Sequence, residues 1–416
     1  MNLALFSLLA VILVFVIGSF RRNPLHIGLL GLLAAYLVGR MAGIPDAKLM
    51  GFFPTTLFVR VFGIMLFFGI AQANGSLELL AKKMMTKTGK NAKLLPFFIF
   101  YVGMILGSIG INSLAGMAIL SGIGISLARA AGGNPLLFGI AGGYGVAAGC
   151  YSPINEYTAN ITAAAEMAKL PVQLAPIYAF NIVAFSISFL VIYLVLGGLK
   201  AKGQVDAELL KDLPSFNRNQ IISMAGIFAV VALTILGIDV GWAGLIVAIA
   251  CILLKTIDTV EVIKKVSLPS LILICGVGTL INLASYLKGF ELMSGGLAAI
   301  MSSATVYPLL SFTSSLMSLF TISRLCVLTL VPTIPGILEA IPGISPQLAI
   351  ASVAAGSFAS SVGPLSANGA LIMQNLGQQL GEQEAAKYFT TQMLMGVLGA
   401  VVIALVCYAG PILGIL

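Results

Sequence analysis

The chain carries one layout twice, 211 residues apart: a polar break inside an apolar hairpin, then a long apolar run interrupted at Ser-Pro or Gly-Pro. In the first copy Ile111-Asn112-Ser113-Leu114 is followed by Pro135, Gly145 and Pro153. In the second, Ile322-Ser323-Arg324-Leu325 is followed by Pro346, Gly356 and Pro364. Backbone freed from helical hydrogen bonds survives at membrane depth only beside protein or a wet cavity. Broken helices placed correspondingly in two halves therefore point to a binding site near the bilayer midplane.

Composition agrees with membrane burial. Hydrophobic residues make up 59% of the 416 positions and charged residues 9%, and the mean hydropathy is +1.08, which leaves too little polar surface for a water-soluble globule of this length. The net charge of +8 does not imply a nucleic-acid partner, because most Lys and Arg lie in short loops between apolar runs, where they set topology. The five cysteines (Cys150, Cys251, Cys275, Cys326, Cys407) lack Cys-x-x-Cys spacing and read as small buried packing residues. His26 is the only histidine, which excludes a His-based metal site.

Apolar runs of membrane-crossing length fall at 3–20, 25–43, 51–73, 135–168 (interrupted) and 172–199, and again at 221–237, 241–255, 268–286, 346–380 (interrupted) and 388–416. Five crossings per half is an odd number, so the second copy is expected to be inverted. The predicted fold is an all-α polytopic membrane protein: an inverted 5+5 repeat of about ten transmembrane helices plus two re-entrant hairpins. The first repeat is 1–199, with scaffold helices 1–73, a basic amphipathic arm 74–93, a hairpin 94–131, a broken helix 135–168 and a helix 172–199. A cytoplasmic linker, 200–217, leads to the second repeat, 218–416, with scaffold helices 218–286, an arm 287–304, a hairpin 305–341, a broken helix 346–380 and a helix 386–416. The small, uncharged turn 107–113 suits a buried tip better than a loop between two full crossings.

Placing Arg21-Arg22 in the cytoplasm brings Lys82–Lys93, the linker, Lys264-Lys265 and Lys387 to the same side, so the amino terminus is expected outside. A hairpin tip facing a broken helix offers carbonyls, helix N-termini, amides and hydroxyls together. The candidate substrate ligands are Asn112, Ser113, Ser323, Arg324, Pro153, Asn155, Pro364 and Ser366. The candidate ion ligands are Asn112, Gly149, Ser152, Asn155, Ser323, Ser360, Gly363 and Asn368. A cation at membrane depth faces a cavity and a partner, and the planar fork of Arg324 matches a carboxylate. Its competing partner is Glu156, as a structural ion pair; alternatively Glu156 takes up a coupling proton. Arg40 and Arg60 are expected to snorkel.

The stretches "GFFPTTLFVRVFGIMLFFGIAQANGSLELLAKK", "INSLAGMAILSGI" and "AGGYGVAAGCYSPINEYTANI" resemble the amino-terminal region of the malonate/dicarboxylate carrier family, within the ion-transporter superfamily. "FTISRLCVLTLVP" and "ASSVGPLSANGALIM" are similar to the matching repeat of divalent-anion:sodium symporters. The resemblance implies a homodimeric elevator carrier in which hairpins and broken helices move as one body with a carboxylate and sodium ions. Symporter tips bear Ser-Asn-Thr; Ser323-Arg324 departs from this, and a fixed guanidinium repels a second sodium. The expectation is a secondary active transporter of small dicarboxylates, coupled to sodium or protons, in lipid of the bacterial inner membrane. Sodium is the only metal expected, and no cofactor is. The alternative is a cation/proton antiporter using Glu156, although no paired Asp accompanies it. With no Ser-His or acidic pair, no enzyme is expected.

Overall fold

The computed structural model describes residues 2–19, 26–85, 91–200, 213–319 and 322–411. Arg21-Arg22, Lys87, Lys90, Thr321 and most of the predicted linker lie outside them. The described chain is helical: α1 (Leu3–Ser19), α2 (Ile27–Met41), α3 (Asp46–Met50), α4 (Thr55–Ala73), α5 (Ser76–Met85), α6 (Leu95–Ser108), α7 (Ser113–Ala130), α8 (Pro135–Gly149), α9 (Glu156–Met167) and α10 (Leu174–Val195). Then follow α11 (Arg218–Ile235), α12 (Val240–Leu253), α13 (Thr259–Lys265), α14 (Leu268–Tyr286), α15 (Gly289–Ala298), α16 (Val306–Ser318), α17 (Ser323–Leu330), α18 (Ile334–Ala340), α19 (Pro346–Ala359), α20 (Ala367–Leu380), α21 (Glu382–Ala386) and α22 (Phe389–Ala409).

Among the described residues, six segments are long and apolar enough to cross a bilayer by length and composition: Asp46–Ala73, Leu174–Val195, Arg218–Ile235, Leu268–Tyr286, Ser323–Ala340 and Phe389–Ala409. Five match expected spans. The sixth is the second leg of the second hairpin, which is not one smooth helix: Pro332 and Pro335 divide it into α17, a 3-10 turn at Val331–Thr333, and α18. Both interrupted runs are broken as expected, at residues 150–155 between α8 and α9 and at 360–366 between α19 and α20. Each run opens with proline at the start of the helix behind a polar cap, Asn134 in one and Ser345 in the other. At about 1.5 Å per residue, the 14 residues of α6 and the 15 of α8 are too short to cross about 30 Å of hydrocarbon alone.

The two halves use the same contacts. A Cβ on Gly145 of α8 would lie 2.0 Å from the Phe100 carbonyl oxygen of α6; one on Gly356 of α19 would lie 2.2 Å from that of Ser311 of α16. Both residues of the second pair sit 211 positions after those of the first. Small residues let these backbones approach, which is how helices associate where water cannot drive them together. Packing also crosses between halves: α2 lies on α14 and α12 on α4, while α9 meets α17 and α20 meets α7. Asn375 and Gln379 of α20 tie that last seam by donating to the carbonyls of Ala118 and Gly122. The cysteines are all free and buried.

Candidate functional site

Breaking a helix strands carbonyls at its end, and side chains satisfy them here. Asn181 of α10 donates to the Ala147 and Ala148 oxygens at 3.1 and 2.9 Å. Gln392 of α22, again 211 residues later, donates to Val362 and Gly369 at 2.7 and 2.8 Å. Neither amide stood out in the sequence, although the repeat offset that aligned the prolines also aligns these two.

The first hairpin tip closes onto the first break. Asn155 Nδ2 donates to the Gly107 oxygen at 2.7 Å and Ser152 Oγ to that of Ser108 at 2.5 Å. Asn155 Oδ1 accepts from Tyr157 N, capping α9, and Asn112 Oδ1 accepts from Leu114 N, capping α7. Ser113 Oγ shares a 2.6 Å hydrogen bond with Tyr157 OH. Gly149 is held against α6, since a Cβ there would lie 2.2 Å from the Met104 oxygen. At the second tip Ser360 Oγ donates to the Ser315 oxygen at 2.5 Å and lies 2.7 Å from Ser318 Oγ. Ser366 caps α20, and its hydroxyl also bonds the Ser361 carbonyl.

Arg324 opens α17 and Glu156 opens α9, and the crossed packing of these helices brings them together. Each side chain is nearly sealed from solvent, at 4% and 3% exposure, and Arg324 Nη2 donates to Glu156 Oε1. The same carboxylate oxygen accepts from Asn112 Nδ2 at 2.7 Å. The guanidinium carbon lies 4.5 Å from the centroid of the Tyr157 ring, and Arg324 Nη1 is buried with no hydrogen-bond partner.

Two chambers adjoin this pair. One, of about 330 Å³, is walled by Asn112, Glu156, Phe68 and Gln72 and has the exposed Lys265 on its rim. The other, of about 40 Å³, is walled by Ser323, Arg324, Ser361, Ser366, Asn368 and Tyr157; Leu114 and Ser270 border both. Of the residues singled out from sequence, Asn112, Ser323, Arg324, Ser366 and Asn368 line these chambers, together with Glu156. Ser113, Gly149, Ser152, Pro153, Asn155, Ser360, Gly363 and Pro364 lie in the tips and breaks that shape them, without forming these two walls. Sequence reasoning did not single out Tyr157, Ser270, Gln72 or the cavity position of Lys265.

Arg60 is paired as well as placed near a span end: Nε bonds Asp239 at 2.6 Å and Nη1 bonds Glu166 at 2.9 Å, joining α4 to the cap of α12 and the end of α9. Arg40 is exposed and pairs with Asp46.

Paired hairpins meeting broken helices around two chambers belong to an integral membrane protein that is helical throughout its described residues. Residues 1–150 match the family model described as the dicarboxylate carrier protein MatC N-terminus. Over its whole length the chain is similar in fold to the Alcanivorax borkumensis YdaH transporter, whose crystal structure is described as having an unusual topology. The TM-score is 0.66 at 16% identity, covering 100% of this chain and 99% of that one. No curated protein matches the sequence. Both matches are to carriers or transporters, not to enzymes.

Proposed function

We propose that this protein is a secondary active transporter of small dicarboxylates, malonate-like or with four carbons, driven by a sodium or proton gradient. One observation carries the reading: where hairpin tips meet broken helices, a buried guanidinium with a free donor, Arg324 Nη1, lines the smaller of two chambers, and its ion-pair partner Glu156 lines the larger. A volume of about 330 Å³ lies at the small end of ligand pockets, and a planar fork is the matching donor for a carboxylate. The dicarboxylate carrier model matched by residues 1–150 supports the same substrate class.

In this reading the two halves are inverted repeats with the domain limits given above. Hairpins and broken helices form the moving body, α2, α4, α12 and α14 belong to the scaffold of a homodimer, and the amino terminus faces outside the bacterial inner membrane. Sodium, where it couples, is carried as cargo. Hydroxyl and amide oxygens around the small chamber suit it chemically, but Arg324 in the same wall opposes a cation. At the first tip and the first break the side-chain oxygens of Asn112 and Asn155 are already engaged in capping. The antiporter alternative is weakened for a related reason, because the carboxylate it needs is bound to Arg324.

Uptake of labelled malonate or succinate into proteoliposomes under an imposed sodium or proton gradient tests the proposal. Accumulation above equilibrium is expected; sodium–proton exchange without dicarboxylate uptake would establish the antiporter instead.

A further inference from the structure

The Arg324–Glu156 pair is less complete than a structural ion pair should be. Guanidinium offers five N–H donors, and buried polar groups are ordinarily satisfied. Here the contact runs through Nη2 to a single oxygen, which Asn112 also uses, while Nη1 has no partner. The arginine is thus engaged at Nη2 with Nη1 left over; it lines the chamber walled by hydroxyls, while Glu156 lines the chamber large enough for a small acid.

We infer that Glu156 is a tethered stand-in for the substrate's carboxylate, holding Arg324 until a dicarboxylate displaces it and leaving as the neutral acid. The inference rests on the carrier reading above. The exchange balances: the Arg324–Glu156 ion pair breaks, an ion pair forms between Arg324 and one substrate carboxylate, and one proton from water binds the Glu156 carboxylate. The site passes from zero net charge to −1 with a dianion bound. Without the proton it would reach −2, and a second uncompensated buried charge is costly.

The other groups facing Glu156 cannot supply this proton uptake. Arg324 comes from α17, Tyr157 is next in the chain, Cys150 lies in the break, and Lys265 stands on the rim of the shared chamber from α13. Asn112 and Ser113 at the tip, the α4 wall (Ile64, Met65, Phe68, Gly69, Gln72) and the turn Val331–Thr333 bring no titratable group. A guanidinium, an ordinary phenol, thiol or ammonium already carries its proton at neutral pH, which leaves the carboxylate as the acceptor.

The test is calorimetric binding of malonate and of succinate to the purified protein, in buffers of different ionisation enthalpy and at pH well above the acids' own titration. About one proton is taken up per substrate bound, and affinity falls by about tenfold per pH unit. In Glu156→Gln the proton count drops to zero and affinity no longer varies with pH. Without the competing charge this variant binds more tightly than wild type at the alkaline end, whereas a supporting role for Glu156 predicts weaker binding. Wild-type binding without proton uptake, or weaker binding by Glu156→Gln throughout, overturns the inference and leaves the carrier reading standing. Failure of wild type to bind or transport any dicarboxylate overturns both. Should the variant not fold, the wild-type proton count decides alone.

Discussion

Replacing Arg324 by Met keeps an unbranched stem of similar reach but removes the charge, and the structure sets the cost. Glu156 is left with 3% side-chain exposure and only the Asn112 amide as a described hydrogen-bond partner. Removing one member of a buried pair costs about 3–5 kcal/mol, chiefly from the stranded charge. At somewhat under about 2–4 °C per kcal/mol in a chain of this length, melting in detergent falls by several degrees. The double variant Arg324→Met/Glu156→Gln strands no charge, so it recovers most of that loss. Replacing a buried pair by neutral groups is often neutral or even stabilising. Both variants lose dicarboxylate uptake, because both lack the guanidinium. The measurement is a double-mutant cycle of melting temperatures alongside proteoliposome uptake. If Arg324→Met melts with wild type, or the double variant melts as low as the single one, the two groups do not hold each other and the reasoning fails.

Asn181→Leu and Gln392→Leu each remove the side-chain donor to a carbonyl at a helix break, that of Ala148 in one and Val362 in the other; a loss of about 1–3 kcal/mol per unsatisfied group is expected in thermal melts, with similar values at the two sites. Gly145→Ala and Gly356→Ala place a methyl within 2.0 and 2.2 Å of rigid carbonyls, so each destabilises by about 1–3 kcal/mol. Gly295→Ala, which meets nothing within 4 Å, serves as the helical control that gains up to about 1 kcal/mol. Lys265→Glu reverses an exposed charge on the rim of the larger chamber; the KM for a dianion rises, most strongly at low salt, because steering is screened as ionic strength increases.

The breaks were readable because proline, asparagine and serine act locally: Pro135 and Pro346 start helices, while Asn155 and Ser366 cap the helices that resume after the gaps. The first hairpin was readable because Gly107 to Ser113 is small and polar but carries no charge. What stayed hidden depends on three-dimensional crossing. Arg60 finds Asp239 and Glu166 from 179 and 106 residues away, and no periodicity encodes such a meeting. The choice between a substrate and Glu156 as the partner of Arg324 depended on whether α9 crosses to α17, which composition leaves open. The uneven second leg was accessible in principle, since Pro332 and Pro335 stand in plain view within an otherwise apolar run.

The crossed packing also shows that the site is charged on one side only. Shifting the first half by 211 positions maps Ser113 onto Arg324 and Glu156 onto Ala367, so the repeat mate of the α9–α17 ion pair is a serine and an alanine where α7 meets α20. The frame is duplicated, but the charge is not. Ser113 is satisfied by Tyr157 OH, the same ring that lies against the Arg324 guanidinium, so both tips converge on one aromatic. In the proposed carrier, a dicarboxylate entering this frame would meet one buried guanidinium for one of its carboxylates. The other is left to the larger chamber, with the Asn112 amide in its wall and Lys265 on its rim. Such a site orients its ligand by one strong pole and tolerates variation at the far end, which fits a carrier of short diacids differing in chain length better than a receptor for one of them.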